Sequence, residues 1–465
     1  MRKVLLTTAA VVGAAISLGG VANAQQVAYP APPYGEAGPT FGESSAPPTT
    51  ASSSEVSGMT APNSFVVHLN GRINWYAGVA GSSASEFDGY KLNPQSFVGY
   101  VRLYPGFNAT AANGLKYGFV GEIRMPGSNQ TTGGATPGST SSGQTLWWHT
   151  AYGYVGSDEF GDFRFGQGPN ATALWQGNYT TESFNDGGWD GDVPALVPGV
   201  VQPVFPFADD DPLWTGDKIV YLSPNFSGFQ FGASYEPNTA NLWDTPGCST
   251  ASAGCNGLIA GPTTLGTGSG AGRFQNMVDI AGNYSGTFNG VGVGALAAYV
   301  GSSAVRNNSG LPVQQYYGYS VGVFGASLSY AGFTLAGNVN FGQMNGDWGL
   351  QPKGGVDEVA WIAGLQYAEG PYVIGASYFK TNMAGNWTGA NALVGVARTE
   401  NDLGFAAGGT YQLAPGIALY LSYLYGQRHQ DGWNFNAGTP SSLVVGGGGN
   451  NTRANLIAVG SVLSW

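Results

Sequence analysis

The chain has 465 residues, of which 77 are glycine and only 9% are charged. Its 16 basic and 27 acidic residues give a net charge of −11, and such a chain lacks the basic surface that binds nucleic acid. Its mean hydropathy of −0.05 argues against a bundle of membrane-spanning helices, each of which would need about 20 consecutive apolar residues.

The first 24 residues have the three parts of a secretory signal peptide. Arg2 and Lys3 form a basic start, residues 4–18 are apolar or small, and Ala22-Asn23-Ala24 is a cleavage site. A membrane anchor is the alternative, which the short apolar stretch and the cleavage site disfavour. Removal of this segment leaves 14 basic and 27 acidic residues, a net charge of −13 that would favour cations in any enclosed water.

Residues 25–63 have a different composition, rich in Pro, Ser, Thr and Ala. Such a segment cannot bury enough apolar surface to offset its chain entropy. We therefore expect a flexible tail at 25–63, followed by one folded domain at 64–465.

From residue 64 onward, apolar and polar residues alternate. In the first segment, Phe65, Leu69 and Ile73 fall on one face, and His68 and Arg72 fall on the other. Sixteen such segments lie near 65–80, 95–105, 114–125, 145–156, 159–167, 217–223, 226–237, 274–285, 288–301, 314–325, 328–342, 356–368, 371–381, 401–413, 416–428 and 453–465. A membrane β-strand needs only about 9–11 residues that alternate between lipid and lumen. The pattern predicts an all-β fold, a 16-stranded antiparallel transmembrane β-barrel.

Short turns and long polar connections alternate between these segments. The predicted short turns are Ser157-Asp158, Ser223-Pro224-Asn225, Gly286-Thr287, Ala326-Ser327, Glu369-Gly370 and Ala414-Pro415. Short turns at one end and long loops at the other are typical of outer-membrane barrels. A soluble β-sandwich also alternates, but about 400 residues without a domain break disfavour it.

Three segments resemble the general porins of Gram-negative outer membranes, particularly those of alphaproteobacteria. Residues 159–167 (EFGDFRFGQ) resemble the strand that enters the porin constriction loop, and residues 217–235, with the turn SPNFSGF, resemble the hairpin after it. The final strand ends on Trp465, similar to the signal for the outer-membrane assembly machinery, although the family usually ends in Phe. The resemblance implies residence in outer-membrane lipid, a homotrimer without cofactor, and passive diffusion of small hydrophilic solutes.

The longest connection between predicted strands is 168–216, and a loop of that length is usually functional. The resemblance implies that it folds inward and forms the pore constriction. Its predicted acidic residues are Glu182, Asp186, Asp190, Asp192, Asp209, Asp210 and Asp211. Its aromatic residues, which can pack it against the wall, are Trp175, Trp189, Phe205, Phe207 and Trp214.

A basic wall is predicted to face this loop, since Arg72, Arg102, Arg124, Arg164 and Lys116 fall on the polar parity of their strands. Opposite charges across a narrow aqueous gap would orient polar solutes and disfavour apolar ones. The alternative is an ordinary solvated lumen face without a tuned role. The triplet at 209–211 has alternatives too, as solvated acids or as Ca²⁺ ligands, although no D-x-D-x-D-G pattern is present and we expect no metal site.

The predicted function is a passive, weakly cation-preferring diffusion channel. A sugar- or nutrient-selective channel is the alternative, because sugars stack on aromatic rings such as those of the long loop. A further alternative is a non-transport barrel, an adhesin or a rim hydrolase. We expect no enzyme activity, because no G-x-S-x-G nucleophile elbow accompanies the three histidines at 68, 149 and 429. The one match to the motif, GYSVG at 318–322, lies within a predicted strand and not at a strand-to-helix turn.

The chain has two cysteines, Cys248 and Cys255, in a segment rich in Gly, Ser and Thr. In an exported protein, a nearby pair of this kind predicts a disulfide. Two free thiols are the alternative, and a metal site would need more ligands close by.

Overall fold

The computed structural model describes residues 64–84, 86–87, 90–124, 146–181, 184–207, 211–239, 257–258, 273–304, 306–307, 316–386, 398–441 and 449–465. The predicted signal peptide, the tail at 25–63, and Cys248 and Cys255 lie outside these ranges. None of the helices within them is long and apolar enough to cross a membrane.

Sixteen antiparallel strands close a barrel in which each strand pairs with its neighbours in the chain and the last pairs with the first. They are β1 (Ser64–Ser82), β2 (Gln95–Thr110), β3 (Lys116–Arg124), β4 (Trp147–Ser157), β5 (Gly161–Gln167), β6 (Asp217–Leu222), β7 (Phe229–Asn238), β8 (Phe274–Phe288), β9 (Val291–Ala304), β10 (Ser320–Tyr330), β11 (Phe333–Gln343), β12 (Glu358–Glu369), β13 (Tyr372–Met383), β14 (Glu400–Ala414), β15 (Ile417–Gln430) and β16 (Asn451–Ser464). The predicted fold class and strand number are confirmed.

The remaining elements lie in the connections. The loop between β5 and β6 contains α1 (Ala171–Gln176), α2 (Asp211–Trp214) and 3₁₀ turns at Gly177–Tyr179, Val193–Leu196 and Gly199–Val201. Pairs of two-residue strands join Glu86–Phe87 to Tyr90–Lys91, Gly257–Leu258 to Arg306–Asn307, and Trp433–Asn434 to Thr439–Pro440.

Alternation along the strands separates an apolar exterior from a polar interior. On β1, Phe65 and Trp75 are 61% and 47% exposed, whereas Arg72 and Tyr76 point inward and are buried. The register places Arg72 opposite Arg102 on β2, and Arg102 opposite Arg124 on β3. Period-two alternation thus brings three arginines side by side on the inner wall.

Two of the short turns lie several residues later than the sequence predicted. Residues 286–287 and 326–327 continue β8 and β10, and the turns are formed by Asn289-Gly290 and Ala331-Gly332. All four turn residues have positive φ, between 50° and 84°. A two-residue hairpin turn of type I′ has this conformation at both central positions, which matches the strand twist. Asn-Gly is therefore a stronger signal than the small residues on which the prediction relied.

The SPNFSGF hairpin follows the same rule. Phe226 pairs with Phe229 across Ser227 and Gly228, whose φ values are 55° and 94°. The turn is thus Ser227-Gly228, and the predicted Ser223-Pro224-Asn225 lies on the approach to it. Asn225 stabilises the turn, because its side chain accepts a hydrogen bond from the Gly228 N–H at 2.7 Å.

Replacement of Gly332 by alanine tests the turn geometry. Gly332 has φ of 84°, and a Cβ there would lie 2.6 Å from the carbonyl oxygen of Ala368. We expect Gly332→Ala to lower the free energy of unfolding in detergent by about 1–3 kcal/mol. The control is Gly282→Ala on the exterior of β8, where an added Cβ meets nothing closer than 4.0 Å. Equal stability of the two variants would contradict the turn assignment.

Candidate functional site

The loop between β5 and β6, residues 168–216, lies inside the barrel and follows its inner wall. Its first helix, α1, begins at Asn170, whose side chain accepts a hydrogen bond from the Ala173 N–H at 2.8 Å. Asp279 of β8 accepts hydrogen bonds from the N–H groups of Ala171 at 2.9 Å and Thr172 at 3.3 Å. These bonds satisfy the free amides of the first turn and attach the loop to the wall.

Polar contacts continue along successive strands. The Gln176 side chain donates to Asn340 of β11 at 2.7 Å, and the Trp189 indole donates to the Phe405 carbonyl of β14 at 3.2 Å. On the return path, the Val204 N–H donates to Asp402 of β14 at 2.9 Å. The loop therefore lies against the wall twice, once on the way out and once on the way back.

Glycines on the inner wall make room for the loop. A Cβ at any of eight positions would come within 3.0 Å of a loop atom. These positions, called the glycine groove below, are Gly78, Gly232, Gly325, Gly364, Gly375, Gly404, Gly408 and Gly426. Glycine lets a backbone approach closely at each of them, and this packing accounts for part of the high glycine content.

The loop aromatics pack into this wall. Trp175 and Phe207 have no exposed area, and Phe205 lies edge-on to Phe379 of β13 with ring centroids 5.1 Å apart. Trp189 and Trp214 are buried as well. These rings anchor the loop and do not present free faces to the lumen.

A sharp turn directs the acidic residues toward β1 and β2. Asn185 and Asp186 have φ of 53° and 67°, and the two glycines that follow also have positive φ. Asn, Asp and Gly adopt this left-handed conformation at the lowest cost. The turn brings Asp186 to the hydroxyl of Tyr76 on β1, which donates a hydrogen bond to it.

Asp192 lies in direct contact with the basic wall. Its carboxylate is 2.9 and 3.1 Å from Nη2 of Arg102 and 3.8 Å from Nη2 of Arg72, and it accepts a hydrogen bond from the Tyr100 hydroxyl. The Tyr100 ring lies beneath both guanidinium groups, 4.8 Å from that of Arg102. The sequence predicted an aqueous gap between acids and arginines, whereas the carboxylate of Asp192 is in direct contact with the guanidinium of Arg102.

A wall carboxylate that sequence reasoning did not assign to the site completes the network. Glu122 of β3 lies 2.5 Å from Nε of Arg124 and 3.7 Å from Nη1 of Arg102, and 3.0 Å from Nδ1 of His149. Glu122 shares the inward parity of Arg124, so alternation was the signal that could have identified it.

Two predicted basic residues lie apart from this network. Arg164 pairs with Asp162 of its own strand at 2.9 Å and lies over the ring of Tyr152. Lys116, at the short-turn end of β3, pairs with Asp158 at 2.6 Å. The structure therefore groups Arg72, Arg102 and Arg124 but neither of these two.

The other predicted acidic residues are placed only in part. Asp190 lies two residues before Asp192 and is half-buried. Glu182, Asp209 and Asp210 lie outside the described residues, as does the side chain of Asp211. Trp465 exchanges backbone hydrogen bonds with Gly71 of β1, and its ring is exposed on the exterior.

Asp186 and Asp192 differ in acidity. Burial and, second, the charge of nearby Asp192 raise the pKa of Asp186 to about 7, although Arg72 lowers it in part. Burial also disfavours ionisation of Asp192, but Arg102 and Arg72 outweigh it and lower the pKa of that carboxyl. Asp192 is thus a permanent anion near neutral pH, and Asp186 is a titrating group.

The model of the Gram-negative porin family matches residues 7–431. The chain belongs to this family. The porin is an outer-membrane channel, as its family and its closed barrel indicate. None of the curated proteins compared with it matches.

Solved structures similar to this porin come from several bacteria. The anion-selective porin from Comamonas acidovorans has 15% identity and a TM-score of 0.49, over 86% of this chain and 100% of its own. The channel DcaP of Acinetobacter baumannii has 12% identity and a TM-score of 0.49, over 88% and 100%. In-vitro folded OmpT, an outer membrane protein of Vibrio cholerae, has 12% identity and a TM-score of 0.48, over 88% and 99%.

The acidity of Asp186 predicts a pH-dependent selectivity. As the pH rises through about 7, Asp186 ionises and adds a negative charge beside the arginines. We expect the cation-to-anion permeability ratio to rise about twofold between about pH 6 and about pH 8. Reversal potentials in a salt gradient measure this ratio, and Asp186→Asn should remove the step.

The free energy of unfolding should fall as the pH rises over the same range. Because its pKa is raised, Asp186 keeps its proton to a higher pH in the native state than in the unfolded state. Its contribution to the free energy of unfolding is therefore full below about pH 3.8 and is lost as the pH rises through about 7.

A step in the permeability ratio that persists in Asp186→Asn would contradict the assignment of that step to Asp186.

The glycine groove predicts that a single methyl group displaces the loop. In Gly375→Ala the new Cβ would overlap the ring of Phe184. We expect a lower single-channel conductance and a loss of about 1–3 kcal/mol in the free energy of unfolding, because overpacking forces the loop toward the lumen. Gly282→Ala on the exterior is the matched control, and unchanged conductance in Gly375→Ala would show that the loop does not depend on the groove.

Proposed function

We propose that this porin is a passive diffusion channel for small hydrophilic solutes and ions, with a weak preference for cations. The contact between Asp192 of the loop and Arg102 of the wall carries the proposal, because it brings opposite charges together on the inside of the barrel, as a charged constriction requires. Ions and polar solutes can exchange hydration for such groups, and apolar solutes cannot. Of the predicted site residues, Asp186, Asp192, Arg72, Arg102 and Arg124 have this role in the proposal.

Charge balance supports the preference for cations. Asp192 and Glu122 offset two of the three positive charges of Arg72, Arg102 and Arg124 by direct ion pairs. The net charge of −13 expected for the mature chain raises the local concentration of cations in the enclosed water.

The alternative of a sugar-selective channel gains no support from the loop aromatics. That alternative required ring faces on which a sugar can stack, and the loop rings are buried against the wall. The rim hydrolase gains no support from His149, which is fully buried and contacts Glu122 and the ring of Trp214. The absence of enzyme activity remains a prediction.

The proposal includes the partners that the resemblance implies: outer-membrane lipid, a homotrimer and the assembly machinery. A ring of large apolar side chains on the exterior supports the contact with lipid. The exposed terminal ring of Trp465 supports its role as the assembly signal. The signal peptide, the tail and the disulfide remain predictions.

Replacement of Asp192 tests the proposal in planar bilayers. The wild-type protein should give stepwise conductance with a modest cation preference. Asp192→Asn removes the carboxylate shared by Arg72 and Arg102, so uncompensated positive charge remains at the constriction. We expect the cation-to-anion permeability ratio to fall about twofold.

The control is Asp431→Asn. Asp431 lies just beyond the end of β15, and its exposed carboxylate is 3.4 Å from Nε2 of His429. This replacement should leave the ratio unchanged. Electrical silence of the wild-type protein would refute the channel, and a clear anion preference would refute the selectivity.

A further inference from the structure

Both ends of the constriction loop meet at one buried lysine. Lys218, the second residue of β6, donates through Nζ to the carbonyl oxygen of Gly168 at 2.7 Å, at the start of the loop. The same Nζ donates to the carbonyl oxygens of Thr215 at 2.5 Å and Gly216 at 3.1 Å, at its end. The Lys218 side chain has no exposed area.

A wall carboxylate forms an ion pair with this lysine. Glu236 of β7 lies 3.1 Å from Nζ and is also buried. Gly216 has φ of 90°, and a Cβ there would overlap the Glu236 carboxylate. The loop end, the lysine and the glutamate therefore fit together without room for a side chain at Gly216.

A backbone hydrogen bond closes the same place. The Asn170 N–H donates to the Leu213 carbonyl at 3.0 Å, so the start and the end of the loop also touch directly. We call the group of Gly168, Asn170, Leu213, Thr215 and Gly216 the loop neck. An ammonium group has three N–H donors and no acceptor, and here they serve carbonyls from both sides of the neck.

We propose that Lys218 is a positioning residue that locks the loop neck and thereby keeps the constriction narrow and steady. A buried carbonyl without a donor is costly, so the loop ends stay where the ammonium group holds them. The effect on the pore rests on the proposed function, whereas the lock itself does not. A role that only neutralises Glu236 would need the positive charge but not the three convergent carbonyl bonds.

The experiment compares Lys218→Met with Lys380→Met in the full-length mature protein folded in detergent. Methionine keeps the length of the side chain and removes the donors. Lys380 is exposed on the exterior of β13, so its loss removes the same charge away from the loop. Heat-modifiable migration in electrophoresis verifies that each barrel has closed.

The first measurement is digestion by a broad-specificity protease, with cleavage sites mapped by mass spectrometry. We expect cleavage within 168–216 to be about tenfold faster in Lys218→Met than in the wild type, because a released segment opens locally at lower cost. Lys380→Met should match the wild type. Equal cleavage in Lys218→Met would overturn the proposal.

The second measurement is single-channel recording. We expect open-channel current noise about threefold above that of the wild type in Lys218→Met, since local unfolding of a released loop takes microseconds or longer. If the wild type does not conduct, the proposed function fails, and the protease measurement still decides the lock.

Lys218→Arg separates a lock from a charge and serves if the methionine variant does not fold. Arginine keeps the charge beside Glu236, but its planar guanidinium does not present three donors at the position of Nζ. The lock predicts faster cleavage in this variant too. Cleavage at the wild-type rate would mean that Lys218 only balances Glu236 and would overturn the proposal.

Discussion

The structure depends on one constraint: within a lipid bilayer, every backbone N–H and C=O must find its partner inside the protein. Pairing of β1 with β16 removes the last free strand edge and satisfies it. Closure then leaves a hole, because 16 strands enclose more volume than their own side chains fill. The loop between β5 and β6 lies inside this space and occupies part of it.

The narrowing segment is held by packing and by a few polar bonds. The glycine groove lowers the inner wall under the loop, and large rings such as Trp175 and Phe207 fill the space. Asp279 attaches the start of the loop, and Asp402 attaches its return path. The loop is thus packed firmly against the wall, and Asp192 is held next to Arg72 and Arg102.

Alternation along the strands was enough to predict which side chains face the inside of the barrel, but it did not give the positions of all the turns. The parity of Arg72, Arg102 and Arg124 follows from period two, and the register that aligns them follows from hairpin pairing. The turns at Asn289-Gly290 and Ala331-Gly332 required attention to φ, which small residues alone do not specify. These errors shifted boundaries and left the strand faces unchanged, because alternation along a strand fixes which side chains face lipid.

The contacts of the loop could not be predicted from the sequence for a different reason. Seven acidic residues of the loop were equivalent in the sequence, whereas in the structure Asp192 meets Arg102, six residues after the left-handed turn at Asp186. That pairing depends on residues far apart in the chain, such as Tyr100 of β2. Neither composition nor periodicity encodes such distances.

The charge network explains why the two loop acids differ. Arginine cannot release its proton, so the positive wall is constant, and a carboxylate in contact with it must remain ionised. Asp192 takes that position between Arg72 and Arg102. Asp186 lies against Tyr76, close to the charge of Asp192 and buried, so its proton is retained until about neutral pH. In the proposed constriction, Asp192 would therefore carry a permanent charge, and Asp186 would gain its charge as the pH rises through about 7.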